Sequence, residues 1–346
     1  MSQLIGIILH FIGGFSSASF YVPYNFVKKW SWQIYWISLG FVAWMVMPWI
    51  GGFLTAPHLI DILRDSPLSS KILTYTFGIL WGFGGLGAGL ALRYLGLSLG
   101  QSISLGVCAI VGTIVPAIMD NKFMMLFSST AGIIIILGFM VCIAGIILCG
   151  YAGVLKDKNL TKEQKQESVK EFSAAKGITM AVFGGVMSAC MAIAIKLGGP
   201  IANHAIEKGT QTVFMNNPSY VFILAGGFTT NFIYTILSWS KTKSDTTFTV
   251  TSSKTFYRNS FLAMLSGIMW YGQFFFYGMG TTKMGEFDFA SWSIHMASII
   301  IFSNLWGLWL KEWQLVSKNV IKYLLAGIIL LIISVVLIGF GNYYAS

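Results

Sequence analysis

The stretch of this chain best equipped for chemistry is Asp288-Phe-Ala-Ser-Trp-Ser-Ile-His295. At helical spacing Asp288, Ser291, Trp292 and His295 fall at i, i+3, i+4 and i+7 and share one face. A carboxylate at the mouth of an apolar run can take up and release a proton. A histidine two turns away can relay that proton or bind a hydroxyl. Of 12 acidic residues, only Glu286 and Asp288 sit at such a mouth. They are the proton-coupling candidates, Asp288 first. A plainer role for Asp288, compatible with the other, is to cap the positive end of a helix.

The second constellation is Met269-Trp-Tyr-Gly-Gln-Phe-Phe-Phe-Tyr-Gly278, in which Trp270, Gln273 and Tyr277 share a face. Sugars need flat apolar surfaces for their C–H faces, and amides or phenols for their hydroxyls. That face offers both. A glutamine in the middle of an apolar helix faces the protein interior, because lipid cannot satisfy it. Phe274 to Phe276 are expected to face lipid. The sugar-contact candidates are Trp270, Gln273, Tyr277, Trp292 and His295, with Tyr24 added from the first apolar run. That run also carries His10, Ser16, Ser17, Ser19 and Tyr21.

These residues must be positioned by elements that cross a bilayer. Of 346 residues, 55% are hydrophobic and 10% charged, against about 25% charged in soluble domains. The charges cluster and leave apolar windows of roughly 20 residues, the length a helix needs to cross a ~30 Å hydrocarbon core. The windows are continuous rather than alternating, which excludes an outer-membrane barrel. The fold class is therefore all-α integral membrane, with spans expected at Leu4–Phe26, Trp32–Leu54, Ile72–Leu92, Leu99–Ile118, Ser129–Tyr151, Gly177–Lys196, Pro218–Trp239, Ser260–Met279, Phe289–Leu310 and Tyr323–Tyr343.

Lys28 and Lys29 follow the first run rather than precede it, so it reads as a retained span and not a leader. Basic residues concentrate in alternate connections. Among 22 Lys and Arg, the exceptions are Arg64, Lys71, Lys122, Lys196, Lys208 and Lys283. The basic connections face the cytoplasm, which places both termini in the periplasm. The net charge of +10 is spread over loops and forms no face for nucleic acid.

The chain also echoes itself. Ile12-Gly-Gly-Phe-Ser-Ser-Ala18 resembles Phe183-Gly-Gly-Val-Met-Ser-Ala189, and Gly78, Trp81, Gly89 and Gly96 match Gly267, Trp270, Gly278 and Gly285 in spacing. Span one thus echoes span six, and span three echoes span eight. A unit of five spans reverses its orientation when copied, so the expected architecture is ten helices as a 5+5 inverted repeat. Residues 1–151 form the first repeat, 152–176 a polar cytoplasmic connector, and 177–346 the second. Inverted repeats are a transporter device, with the site near the midplane.

Other features read more simply. Gly82, Gly84, Gly85, Gly87 and Gly89 suit close helix packing. Asn231, Gln101, Ser102 and Ser104 either reach a cavity or bond neighbouring helices. Cys108, Cys142, Cys149 and Cys190 lie in apolar runs with no metal-ligand spacing. Gly96-Leu-Ser-Leu-Gly100 fits a hydrolase pattern but lacks its strand–turn–helix setting. Asn159-Leu-Thr161 is a glycosylation triplet on the cytoplasmic face. No metal, organic cofactor or enzyme site is expected, and the coupling ion is H⁺.

Taken together, Phe20-Tyr-Val-Pro23, Val27-Lys-Lys-Trp-Ser-Trp32, Leu92-Arg-Tyr-Leu-Gly96, Val111-Gly-Thr113, the Met269–Tyr277 block, the Asp288–Met296 block and Leu310-Lys-Glu-Trp313 closely resemble the L-rhamnose–proton symporter family of the drug/metabolite transporter superfamily. The resemblance implies ten spans in a 5+5 inverted repeat, a bacterial inner-membrane location, and proton-driven uptake of a 6-deoxyhexose, L-rhamnose first. Partners are then a small sugar and the bilayer, with the protein a monomer or homodimer. The chain departs from the family where Asn and Tyr are expected, at Gly84-Gly-Leu-Gly87. The alternative is an exporter of small metabolites or drugs from the same superfamily. Such exporters commonly carry an acid in the first span, and here that span has His10 and no Asp or Glu.

Overall fold

The computed structural model describes residues 2–95, 97–158, 173–241, 253–314 and 316–345, which form helices and turns with no strand among them. Among these residues, ten long helices carry the fold. They are α1 (Ser2–Ser19), α2 (Trp32–Thr55), α3 (Leu68–Leu95), α4 (Leu97–Met119), α5 (Thr130–Lys158), α6 (Ala174–Leu197), α7 (Asn217–Lys241), α8 (Ser253–Thr281), α9 (Ser291–Trp309) and α10 (Lys318–Tyr344). Each apolar window of the sequence lies on one of them. Eight are long and apolar enough to cross a membrane; α8 and α9 are not in that set. Both have the length, but they carry polar side chains into the interior. Asn259, Ser266 and Gln273 of α8 and Ser291, Ser293, His295 and Ser298 of α9 are all buried.

The helices pack in a regular pattern. The α1 helix lies on α8 and α9, and α6 lies on α3 and α4. In the same way α3 packs on α7, α2 on α8, and α5 on α10. Paired glycines make the closest approaches. A Cβ at Gly13 would lie 2.9 Å from the Gln273 carbonyl of α8, and one at Gly14 2.9 Å from the Ser298 backbone of α9. The matching pair in α6 faces the other two helices: Gly184 meets Gly87 and Ala88 of α3, and Gly185 meets Ser104 and Val107 of α4. Small residues let the backbones meet, which suits a setting where packing rather than water exclusion drives helix association.

Short segments close one end of the bundle. Leu59–Asp65, Met125–Ser128 and Gly199–Glu207 are short helices, and Gly285–Ala290 is a 3₁₀ turn. They occupy the second, fourth, sixth and eighth connections. Leu59, Ile62 and Leu63 pack with Ile201 and Ala205 in a small satellite core. Arg64 bonds Asp65 at 2.8 Å and holds its carboxyl below the usual carboxylate range.

Two prolines shape the helices that line the interior. Pro48 cannot donate to the carbonyl of Trp44, and α2 widens into a π turn at Phe41–Val46 just before it. That turn carries Trp44 inward, where its ring meets Trp81 at 6.0 Å and Trp270 at 5.4 Å. Pro116 lies inside α4 and offers no N–H to the Gly112 carbonyl. Most of the expected polar connector, the Asn159-Leu-Thr161 triplet and Gly96 lie outside the described residues.

Candidate functional site

A cavity of about 270 Å³ opens at the end closed by the short helices. Its mouth carries two ion pairs. Lys122 meets Asp288 at 2.9 Å, and Lys196 meets Asp120. Both tie the end of α4 to a neighbour, through the turn before α9 and the end of α6. Asn203, Asn216, Thr281 and Thr282 line it too and supply amides and hydroxyls, and Ile195, Met215 and Phe289 supply apolar surface. Gly112 and Pro116 form one wall. Tyr277 forms part of the lining as well. Many hydrogen-bonding groups beside flat apolar surface suit a small polyhydroxylated ligand.

A second cavity of about 320 Å³ lies among α4, α5 and α9. Gln101, Ser102, Ser303 and Asn304 line it, with Lys156, Glu312 and Trp313 at its rim. Lys156 sits 3.6 Å from Glu312 and 4.7 Å above the Trp313 ring. The α9 side contributes Asp288 and Phe289 to the first cavity and Ile299 to Asn304 to the second. Between them lies a septum of about ten residues of helix, or about 15 Å. From Trp292 to Ser298 every side chain in it is buried.

Trp292 is the septum's bolt. Its indole N–H donates to the Cys108 carbonyl at 3.1 Å, and its ring meets Tyr277 edge-on at 5.5 Å. A Cβ at Gly112 would overlap it, so α4 needs glycine there. His295 follows one turn later, fully buried, with Tyr277 at 5.2 Å and Phe274 at 6.2 Å. The structure thus brings Tyr277, Trp292 and His295 together.

It places the other candidates differently. Trp270 is buried in a box with Trp44 and Trp81. Gln273 is occupied: its Oε1 accepts from Ser17 at 2.8 Å and its Nε2 donates to the Trp270 carbonyl at 3.0 Å. Tyr24 packs with Tyr21 and Tyr35 in a separate aromatic cluster, away from both cavities. Glu286 is exposed and makes no ion pair among the described residues.

Three expectations are corrected. Asp288 belongs to the 3₁₀ turn, so the i, i+3, i+4, i+7 face begins only at Ser291. Asp288 does not cap α9 either: the cap position is Ala290, without a side-chain bond, and the carboxylate is taken by Lys122. Phe274 does not face lipid but packs on Trp270, Tyr220 and His295. Of the polar residues left open, Gln101 and Ser102 line the second cavity, while Asn231 accepts from Trp36 and Ser104 bonds the Ala181 carbonyl.

Two residues escaped the sequence reading. Lys122 looks like one more loop charge, and only the fold sets it against Asp288. His10 had a visible signal, an ionisable group inside an apolar run, but nothing in the sequence names its neighbours.

Residues 1–344 match the model of a protein family described as L-rhamnose-proton symport protein. The chain is 33% identical over 341 residues to the L-rhamnose-proton symporter of Pectobacterium atrosepticum, and 32% identical over 342 residues to those of Yersinia pestis and Yersinia pseudotuberculosis. Each alignment covers 98% of both chains.

Proposed function

The chain belongs to the L-rhamnose-proton symport protein family, and on that premise we propose that it imports L-rhamnose with a proton across a bacterial inner membrane by alternating access. The observation that carries this reading is the pair of cavities at opposite ends of α9, with a closed aromatic septum between them. A solute held at Tyr277 reaches the other side only when that septum parts.

The ten-span, 5+5 inverted reading rests on packing. Each contact has a counterpart five helices on: α1 with α8 matches α6 with α3, and α1 with α9 matches α6 with α4. The echoed tryptophans, Trp81 and Trp270, face each other at 5.5 Å between the halves. On this reading α8 and α9 complete the crossings, being about 43 and 28 Å long at 1.5 Å per residue. The halves are then residues 1–151 and 177–346. The basic connections face the cytoplasm and both termini face the periplasm, so the cavity beneath the short helices is the outer one.

Asp288 is the coupling acid at the outer mouth. A proton there neutralises the carboxylate and releases Lys122, loosening the tie between α4 and the start of α9. Tyr277 meets the sugar from this cavity, and Trp292, His295, Trp270 and Gln273 become available as the septum opens. Proton and sugar each favour the same closed complex, so each raises the affinity of the other.

The same repeat locates the departure from the family. Ser17 of α1 bonds Gln273 of α8, and at the matching contact Ser188 of α6 meets Gly84 of α3. The missing side chain leaves the sugar with fewer polar partners on the α3 side.

The test is uptake into proteoliposomes. An imposed inward proton gradient should drive accumulation of L-rhamnose, with alkalinisation outside, and Asp288→Asn should abolish accumulation. An Asp288→Asn protein that still concentrates L-rhamnose against a gradient removes Asp288 from coupling. Efflux of hydrophobic cations driven by protons, with no L-rhamnose uptake, would favour the exporter instead.

A further inference from the structure

His10 of α1 and His295 of α9 are both fully buried, with ring centroids 6.4 Å apart. All four of their ring nitrogens lack a hydrogen-bond partner among the described residues. The His10 backbone carbonyl lies near the His295 ring without making a bond of acceptable geometry. An unpaired buried polar group costs about 1–3 kcal/mol. A histidine inside a membrane is already expensive. A fold that keeps two of them side by side and unsatisfied is holding them for a ligand.

The surroundings are built for these rings. A Cβ at Gly280 would sit 2.8 Å from the His10 Cε1, and one at Gly13 3.4 Å from the His295 Cε1, so glycine makes the room on α8 and α1. Tyr277 touches both, at 5.4 Å from His10 and 5.2 Å from His295. The α10 side brings Gly339 against Ile7 of α1. The titratable groups on the facing elements are Tyr277 of α8, Tyr220 of α7 behind it, and Cys108 of α4 beyond Trp292. Asp288, paired with Lys122, lies at the cavity mouth beside Tyr277. Among the described residues no carboxylate reaches either ring. The matching place to His10 in the echoed segment of α6 is Ala181, so the pair, which bridges α1 and α9, has no counterpart at the echoed place.

We propose that His10 and His295 together form the buried site that holds the coupling proton while L-rhamnose is bound. This rests on the symport reading and refines it: Asp288 admits the proton, and the pair keeps it. A single added proton makes both nitrogens of one ring donors, and one of them can donate to the acceptor nitrogen of the other, neutral ring in a charge-assisted bond. The charge so created in an apolar cage needs further partners. The sugar's hydroxyl oxygens, arriving past Tyr277, are such partners. The proton is therefore held well only when sugar is present, and sugar well only when the proton is. Release on the cytoplasmic side returns the proton to water and leaves both rings neutral and closed against each other.

The experiment uses the intact protein, labelled with ¹⁵N-histidine, in lipid. The chain has four histidines, His10, His58, His204 and His295, so the spectrum is small. With L-rhamnose present at about pH 6, one ring of the His10–His295 pair should gain a proton that it lacks without sugar. In binding assays L-rhamnose affinity should rise by about ten-fold between pH 8 and pH 6 in the intact protein, and this slope should flatten in H10Q and H295Q. The slope should persist in H58Q and H204Q. Both rings staying neutral with sugar bound, in a protein whose L-rhamnose uptake does alkalinise the outside, would overturn the proposal and leave the symport reading standing. Absence of that alkalinisation in the intact protein would instead remove the symport reading. The spectra need no substitution, so a variant that fails to insert does not decide the matter.

Discussion

Replacing Gly112 by alanine adds one methyl against the Trp292 ring of the septum. The new Cβ would overlap the Trp292 indole nitrogen and lie 2.9 Å from its Cε2, both ring atoms rather than flexible ends. Trp292 cannot retreat freely, because Tyr277 meets its other edge and its N–H is committed to Cys108. Overpacking of this kind costs about 1–3 kcal/mol. Losing the Trp292–Cys108 bond adds about 1 kcal/mol. The helix propensity of alanine cancels from this balance, because position 112 is helical in both states. The net penalty of about 2–4 kcal/mol falls on the closed septum, so the open-to-closed ratio should rise about 30- to 700-fold at 1.4 kcal/mol per decade. Two assays read this. L-rhamnose accumulation in proteoliposomes should fall by at least the lower figure. Cys108, buried in the native protein, should become reactive to N-ethylmaleimide, scored by mass spectrometry against the other three cysteines. Gly85→Ala is the control, since nothing lies within 4 Å of its Cβ position; it should transport and label like the native protein. A Gly112→Ala protein that accumulates sugar normally and keeps Cys108 protected would refute the rigid-septum argument.

Further outcomes follow from the same contacts. Trp44→Ala should cost about 3–5 kcal/mol through the cavity left in the aromatic box, whereas Trp44→Phe should cost far less, because the Trp44 indole nitrogen has no partner to lose; detergent melting curves compare them. Ser17→Ala should destabilise by about 0.6–1.5 kcal/mol, because it strands the Gln273 carbonyl inside the bundle; an unchanged melting temperature would show that Gln273 finds another donor. Exchanging the mouth charges, as Lys122→Asp with Asp288→Lys, should preserve insertion and lose proton coupling, which fluorescence-detected chromatography and pH-driven uptake report separately. Arg64 holds Asp65 below the usual carboxylate range, so the favourable pairing is present above that range and is lost only as pH falls through the lowered value. Asp65→Asn should therefore leave the uptake profile unchanged between about pH 5 and pH 8; a displaced profile would mean that this turn takes part in coupling.

Much of the architecture is legible along the chain because the bilayer imposes it locally. A window of apolar residues folds as a helix whatever its neighbours are, and every long helix falls on such a window. The closest helix approaches are equally visible, because the Gly-Gly pairs that let α1 approach α8 and α9, and α6 approach α3 and α4, are short motifs. Tyr277, Trp292 and His295 can be picked out because an aromatic and an imidazole at helical spacing near an acid are unusual in an apolar run.

The partners of those residues are a different kind of information. In a membrane helix the lipid-facing and core-facing sides are both apolar, so periodicity does not reveal how the helix is rotated. Phe274 shows this: adjacent phenylalanines look alike in sequence, and only packing turns this one onto His295. Asp288 left the helical register because Gly285–Ala290 winds as a 3₁₀ turn. Tyr24 fell to another cluster, and Gln273 was claimed by a serine on α1. By itself the sequence determined that this protein crosses a membrane several times as helices, and which side chains are costly to bury there. The tertiary structure alone decided that His10 lies against His295 and Lys122 against Asp288. Those contacts depend on helix rotation and on close approach between distant segments, and the solubility of each segment in lipid is indifferent to both.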